Sequence, residues 1–193
     1  MSLKPPFPFL FGTATSSHQV EGGNDANDWW DWETSGRLPF PSGDACRHYE
    51  RYAEDLALAA QLGHRAHRIS VEWSRIEPEE NQWNDSALLH YQQVIREIRK
   101  QGMEPVVTLH HFTNPRWFSK KGGWLSGDAV KDFERFTRKT IQFLGADVRL
   151  WITINEPMVY IYKSFFEGAW PPGHQSPHDS LCVLRNMLNA HSR

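Results

Sequence analysis

The sequence predicts an α/β fold in which strand, loop and helix recur four times, as in half of a (β/α)8 TIM barrel. Three observations carry this. Apolar, β-branched runs of strand length alternate with longer stretches whose apolar residues fall on one helical face, as in parallel βα units with right-handed crossovers. The loops after the strands are long and the links from helix to next strand are short. In a barrel the working groups sit on those βα loops. The chain has 193 residues, whereas a closed barrel takes eight strands and about 250 residues, so four units make half of one. A doubly wound open sheet is the alternative. It usually carries a glycine-rich phosphate turn after its first strand, and Gly12-Thr13-Ala14-Thr15 lacks that pattern.

The first strand is expected from Phe7 to Thr13, ended by small residues through Ser17. Residues 22–44 are rich in Gly, Asp, Asn and Trp without a period, which reads as a long loop. Asp44 is the expected N-cap of a helix whose face is Tyr49, Tyr52, Leu56, Ala59 and Leu62, stopped at Gly63. The second strand is Ala66 to Val71, with Glu72 to Asn84 as its loop. Leu88, Tyr91, Ile95 and Ile98 stripe the next helix, which ends at Gly102. Glu104 to Leu109 is the third strand, residues 110–127 its loop, and Phe133, Phe136, Thr140 and Phe143 the following helical stripe, stopped near Gly145. Leu150 to Ile154 is the fourth strand. Pro157 has no N–H to donate and ends its pairing; a Pro/Gly-rich loop follows to 179, then a helix from Ser180 to Ala190. No linker or low-complexity stretch interrupts the pattern, so residues 1–193 read as one domain.

A formal charge of −2 with both signs evenly spread gives no reason to expect nucleic acid or an acidic membrane surface as partner. Cys46 and Cys182 lie in no metal or redox spacing and fit a reducing compartment. The first residues lack the apolar core of a signal peptide and no stretch approaches a membrane span, so a soluble cytoplasmic protein is expected. Nine tryptophans are the unusual feature. Most such rings fill cores, yet they also cover the weakly apolar faces of sugars while polar neighbours take the hydroxyls.

Each strand end offers a polar group of use in catalysis. Gln19 and Glu21 follow the first strand, Arg68 lies in the second, His110-His111 follow the third, and Asn155-Glu156 the fourth. In a barrel these converge on one mouth. A metal site built from His64, His67, His110 and His111 is disfavoured, because His64 precedes its strand and falls at the opposite end from His111.

The segment Phe9-Leu-Phe-Gly-Thr-Ala-Thr-Ser-Ser-His-Gln-Val-Glu-Gly-Gly23 resembles the N-terminal signature of glycoside hydrolase family 1, the β-glucosidase and β-galactosidase family. Tyr49-Glu-Arg-Tyr-Ala-Glu-Asp55, Arg68-Ile-Ser-Val-Glu-Trp-Ser-Arg-Ile76, Thr108-Leu-His-His-Phe-Thr-Asn-Pro115, Gly122-Gly-Trp124 and Thr153-Ile-Asn-Glu-Pro157 are similar to its later blocks, in order. The resemblance implies that Glu156 is the general acid/base and that Asn155 bonds the 2-hydroxyl of the sugar being cleaved. It implies that Gln19 and His111 bind other hydroxyls of that sugar, and that Arg68 holds the nucleophilic carboxylate. A small carbohydrate substrate is implied, and no cofactor or metal. The pattern departs at Thr113-Asn114, where many members have Asp-Leu, and at His67, where an aromatic is usual. Neither position is catalytic.

The family's reaction retains configuration: two carboxyl groups about 5–5.5 Å apart, one protonating the leaving oxygen and one attacking the anomeric carbon. Its nucleophile is a glutamate in a Thr-Glu-Asn-Gly block after the seventh strand, and that block is absent from this sequence. Glu80-Asn81-Gln82 matches it in letters only. The expectation is therefore the N-terminal part of a β-glycosidase. A second chain, or self-association through the first and fourth strands, would complete the barrel. A symmetric dimer would leave its two Glu156 carboxyls too far apart to act as the retaining pair, so it is expected to bind sugars without hydrolysing them. Trp117, Trp124 and Trp170 are candidates for lining the mouth, with packing beneath the loops as the competing role.

Overall fold

The computed structural model describes residues 9–193. Four parallel strands form one sheet in chain order: β1 (Gly12–Ala14), β2 (Ala66–Ser70), β3 (Glu104–His110) and β4 (Leu150–Ile154). Gly12 sits opposite Ala66, Ser70 opposite Thr108, and His110 opposite Ile154. β1 is shorter than expected, and Phe7 lies outside the described residues. An edge strand has one partner, and here the pairing begins only where Phe11 O accepts from Arg65 N at 2.7 Å. Gly12 then permits the close approach, since a Cβ there would lie 2.0 Å from the Ala66 carbonyl oxygen.

Between β1 and β2 run α1 (Ser17–Val20), α2 (Asp28–Trp32) and α3 (His48–Gln61). The N-cap of α3 is Arg47 rather than Asp44. Asp44 instead starts a tight turn, its carbonyl accepting from Arg47 N at 2.9 Å, with Ala45 and Arg47 at positive φ. Leu56 and Ala59 are buried as expected; Leu62, at the helix end, is 67% exposed. After β2 comes α4 (Trp73–Ile76), then α5 (Asp85–Lys100), capped by Asn84 accepting from Ala87 N. All four of its expected stripe residues are buried, each contributing about 1.5–3 kcal/mol of transfer free energy.

After β3 come α6 (Arg116–Lys120) and α7 (Ala129–Leu144). Phe133, Phe136 and Thr140 are buried on α7, and Leu144 rather than Phe143 completes the stripe. After β4 come α8 (Pro157–Ile161), a π-helical turn (Tyr162–Phe166) and α9 (Pro177–His191). α9 starts before Ser180 because Ser176 caps it, accepting from Asp179 N, with Pro177 preset for the first helical position. The stretches read as loops thus hold short helices.

The core lies between the sheet and α3, α5, α7 and α9. Trp73 is its centre, within 6 Å of the rings of Trp117, Phe118, Phe133 and Phe136. Ile69, Val107 and Leu109 face this layer. Arg68 and Thr108 alternate with them and face the other side. The four parallel strands, each followed by helices, form the expected half of a (β/α)8 barrel.

Candidate active site

The other side of the sheet, at its carboxyl end, holds the candidate groups. Arg68 Nε donates to Thr108 Oγ1 at 2.8 Å, and its Nη2 donates to Asn155 Oδ1. Asn155 N extends the β3–β4 ladder by one bond, to His110 O at 2.9 Å. The Asn155 side-chain amide faces His111 Nε2 at 3.4 Å. An amide N–H needs an acceptor there, which puts the imidazole proton on Nδ1. Burial, reinforced by the Arg68 charge, pulls His111 down to about 4, so the ring is neutral at pH 7. Arg68, His111 and Asn155 therefore form one hydrogen-bonded set, drawn from the middle of β2 and from the residues just after β3 and β4.

Glu156 is beside them and exposed. Its backbone lies in the left-handed region, φ 41° and ψ 58°, at the N-cap of α8. This conformation turns the chain from β4 into a helix whose first residue is Pro157. Burial lowers the Arg68 pKa, and the Glu156 carboxylate opposes that shift. The two charges thus sense each other. Gln19, on α1, is exposed and accepts from Ser16 Oγ at 2.6 Å. Among the described residues it is bonded to none of Arg68, His111 and Asn155.

Other polar groups at the strand ends are internal. Glu21 is buried, bonded by Arg75 Nε and Tyr91 OH, both at 2.9 Å. Burial outweighs Arg75 and raises its pKa to about 7. His110 is buried against Trp124, Phe133 and Tyr160 and pulled down to about 4 by burial. Trp117 and Trp124 do not line the mouth. Both are buried, with Trp117 Nε1 donating to Glu77 O at 2.8 Å. Trp170 is half-buried, against Trp29 and Phe112.

Several acids with enclosed carboxyls escaped the sequence reading, two of them at the strand ends. Asp28, a half-buried residue, accepts from Asn114 N at 2.9 Å and Asn114 Nδ2 at 2.8 Å, and desolvation of its carboxyl raises its pKa to about 6. Glu72 is fully buried between Val71 and Trp73; a lone acid inside an apolar strand end was the available signal. Among the described residues no group of three or more His, Cys, Asp or Glu could hold a metal ion. None of their helices is long and apolar enough to cross a membrane.

The profile described as Glycosyl hydrolase family 1 matches residues 3–193. Beta-glucosidase A of Thermotoga maritima is 34% identical over 199 residues, an alignment covering 98% of this chain and 45% of that protein. Coniferin beta-glucosidase of Pinus contorta is 35% identical over 197 residues, 96% of this chain and 38% of that one. Among solved structures, the beta-glycosidase from Pyrococcus horikoshii superposes with a TM-score of 0.92 at 48% identity, over 99% of this chain and 45% of that one. The Thermotoga maritima beta-glucosidase in complex with cyclophellitol gives 0.92 at 32% identity, over 96% and 45%. The chain spans less than half the length of these relatives. A family profile matched nearly end to end and a fold superposed over almost every residue lead to one conclusion: this chain belongs to glycosyl hydrolase family 1.

Proposed function

We propose that the chain supplies the acid/base half of a retaining β-glycosidase site acting on terminal β-D-glucosides or similar glycosides, with the nucleophile supplied by another polypeptide segment. The observation that carries it is the Arg68–Asn155–His111 set with Glu156 next in the chain. Glu156 protonates the glycosidic oxygen while the incoming carboxylate attacks the anomeric carbon, giving a glycosyl ester and the free aglycone. Water then attacks that ester, Glu156 takes its proton, and the sugar leaves with the nucleophile restored. Asn155 and His111 are the hydroxyl ligands nearest the acid, Gln19 stands on the rim, and Arg68 is the anchor for the incoming carboxylate.

The test is hydrolysis of an aryl β-glucoside by the 193-residue chain, alone and mixed with a polypeptide carrying the C-terminal half of a family member. Turnover abolished by Glu156→Gln supports the reading. Turnover in the mixture that survives Glu156→Gln overturns it.

A second reading rests on the sheet edges. β1 and β4 each have one partner strand, and a groove of about 380 Å³ beside β4 is lined by Trp151, Ile154, Leu184, Met187 and Leu188. A second copy of the chain seated there would give an eight-stranded, sugar-binding and catalytically inert dimer. Sedimentation separates the two readings.

A further inference from the structure

Glu72 takes no part in the chemistry just proposed, yet five donors converge on its fully buried carboxylate. Ser17 Oγ, Asn24 Nδ2 and Ser74 Oγ each approach to 2.8 Å, Ser74 N to 3.3 Å, and Thr113 Oγ1 to 3.0 Å and 3.1 Å from the two oxygens. All five donors are uncharged. Asn24 Nδ2 and Ser74 N can only donate and the three hydroxyls can donate, so the set is matched to an acceptor-only carboxylate. Arg75, the cation nearest in effect, is itself bonded to Glu21 and Gly22 O. A buried charge with no ion pair persists only while its neutral donors stay in place, because each missing donor leaves charge uncompensated in a poorly polarisable interior.

The donors come from three different βα loops. Ser17 opens α1, which carries Gln19, and Asn24 follows in the same loop. Ser74 belongs to α4. Thr113 comes two residues after His111, and Phe112 between them is held at φ 73°. A bulky residue in that region is strained by about 1–2 kcal/mol and needs an anchor on each side. Asn155 and His110 lie on one side, and Thr113 on Glu72 is the anchor on the other.

We infer that Glu72 is a positioning residue: its buried charge clamps the first and third βα loops together, and so fixes Gln19 and His111 relative to each other without touching a ligand. What those two residues bind rests on the function proposed above; the clamp does not.

The test uses the isotopically labelled chain with two readouts, backbone amide exchange and NMR titration with a glucoimidazole followed at the Gln19 side-chain amide. Glu72→Gln, nearly isosteric, replaces an acceptor oxygen by a donor. It is expected to raise exchange at residues 16–24 and 111–114 by about tenfold beyond any rise at Ile95 and Val107, and to weaken glucoimidazole binding. Thr113→Val, which deletes one donor and keeps the fold's shape, gives the same pattern at smaller amplitude and serves if Glu72→Gln does not fold. Thr113→Asp sets a second carboxylate against Glu72 and also loosens both loops. Combining it with Glu72→Gln restores protection, because a single charge again meets neutral donors. Exchange that rises evenly throughout the chain, or a double variant no better protected than Thr113→Asp alone, overturns the assignment. If the parent chain shows no glucoimidazole shift while exchange follows the expected pattern, the clamp stands and the sugar reading falls.

Discussion

The Arg68 guanidinium and the Asn155 side-chain oxygen are bonded across two strand spacings, from the middle of β2 to just beyond β4. This bond decides which way the Asn155 amide faces: with its oxygen given to Arg68, its N–H₂ is left for His111 and for whatever enters the site. Asn155→Ala leaves a half-buried guanidinium without that acceptor and His111 Nε2 without its donor. The expected loss is about 1–3 kcal/mol in urea unfolding. An unchanged midpoint would mean that water substitutes fully for the amide.

Glu156 is exposed and at positive φ, so its backbone conformation costs stability that its side chain does not recover through burial. Glu156→Gly should raise stability by about 1 kcal/mol, read as a higher melting temperature. A lower melting temperature would show that the carboxylate contributes more to the fold through Arg68 than the turn costs.

Arg135 donates to Glu77 through Nε at 3.1 Å and Nη2 at 2.8 Å, and Glu77 is fully buried. The pair pins the loop after α4 to α7, with Trp73 Nε1 and Asn81 N on the same carboxylate. Arg135→Met is expected to cost about 3–5 kcal/mol by stranding that charge. Denaturant unfolding reads it directly, and a loss below about 1 kcal/mol would mean that the two neutral donors suffice.

The pH dependence has two opposed parts. Burial holds His67, His90, His110 and His111 near 4, so their contribution is complete above their unfolded value of about 6.5 and is lost as pH falls towards 4. Asp28 and Glu21 are raised to about 6 and about 7, so their contribution is complete below their unfolded values and is lost as pH rises through those figures. Four histidines outweigh two carboxyls, so unfolding free energy should climb from pH 4.5 to 7. Glu21→Gln removes one opposing group and should steepen that climb; an unchanged slope would mean Glu21 is ionised throughout the range.

Much of the fold is legible because each long element carries its own period. Leu88, Tyr91, Ile95 and Ile98 can share only one helical face, and the β-branched Val106-Val107-Thr108 only a strand. The short helices α2, α4, α6 and α8 stayed hidden, since four or five residues cannot show a 3.6-residue period. The candidate set was legible as residue types along and just beyond the strands, of which the parallel sheet brings Arg68, His111 and Asn155 together and leaves Gln19 apart. Its internal supports were not. Glu72 and Asp28 take donors from distant loops, Thr113 and Asn114, and the only local sign was Glu72 standing alone in an apolar strand end. The misplaced α3 cap has a local cause: Asp44 is a good cap residue, but Ala45 and Arg47 take left-handed conformations and delay the helix to His48.

The spatial order of the strands is also their chain order. Each βα unit therefore finds its partner already in place, one unit upstream, and no strand has to be threaded between two others. For a chain leaving the ribosome this means growth at a single edge, with loop closures of a few tens of residues at every step rather than one long search. β1 is the exception to this order of completion. It pairs at once on one side, while its other side stays open during synthesis, and its brevity, with glycine at its start, limits the template it offers to neighbouring chains.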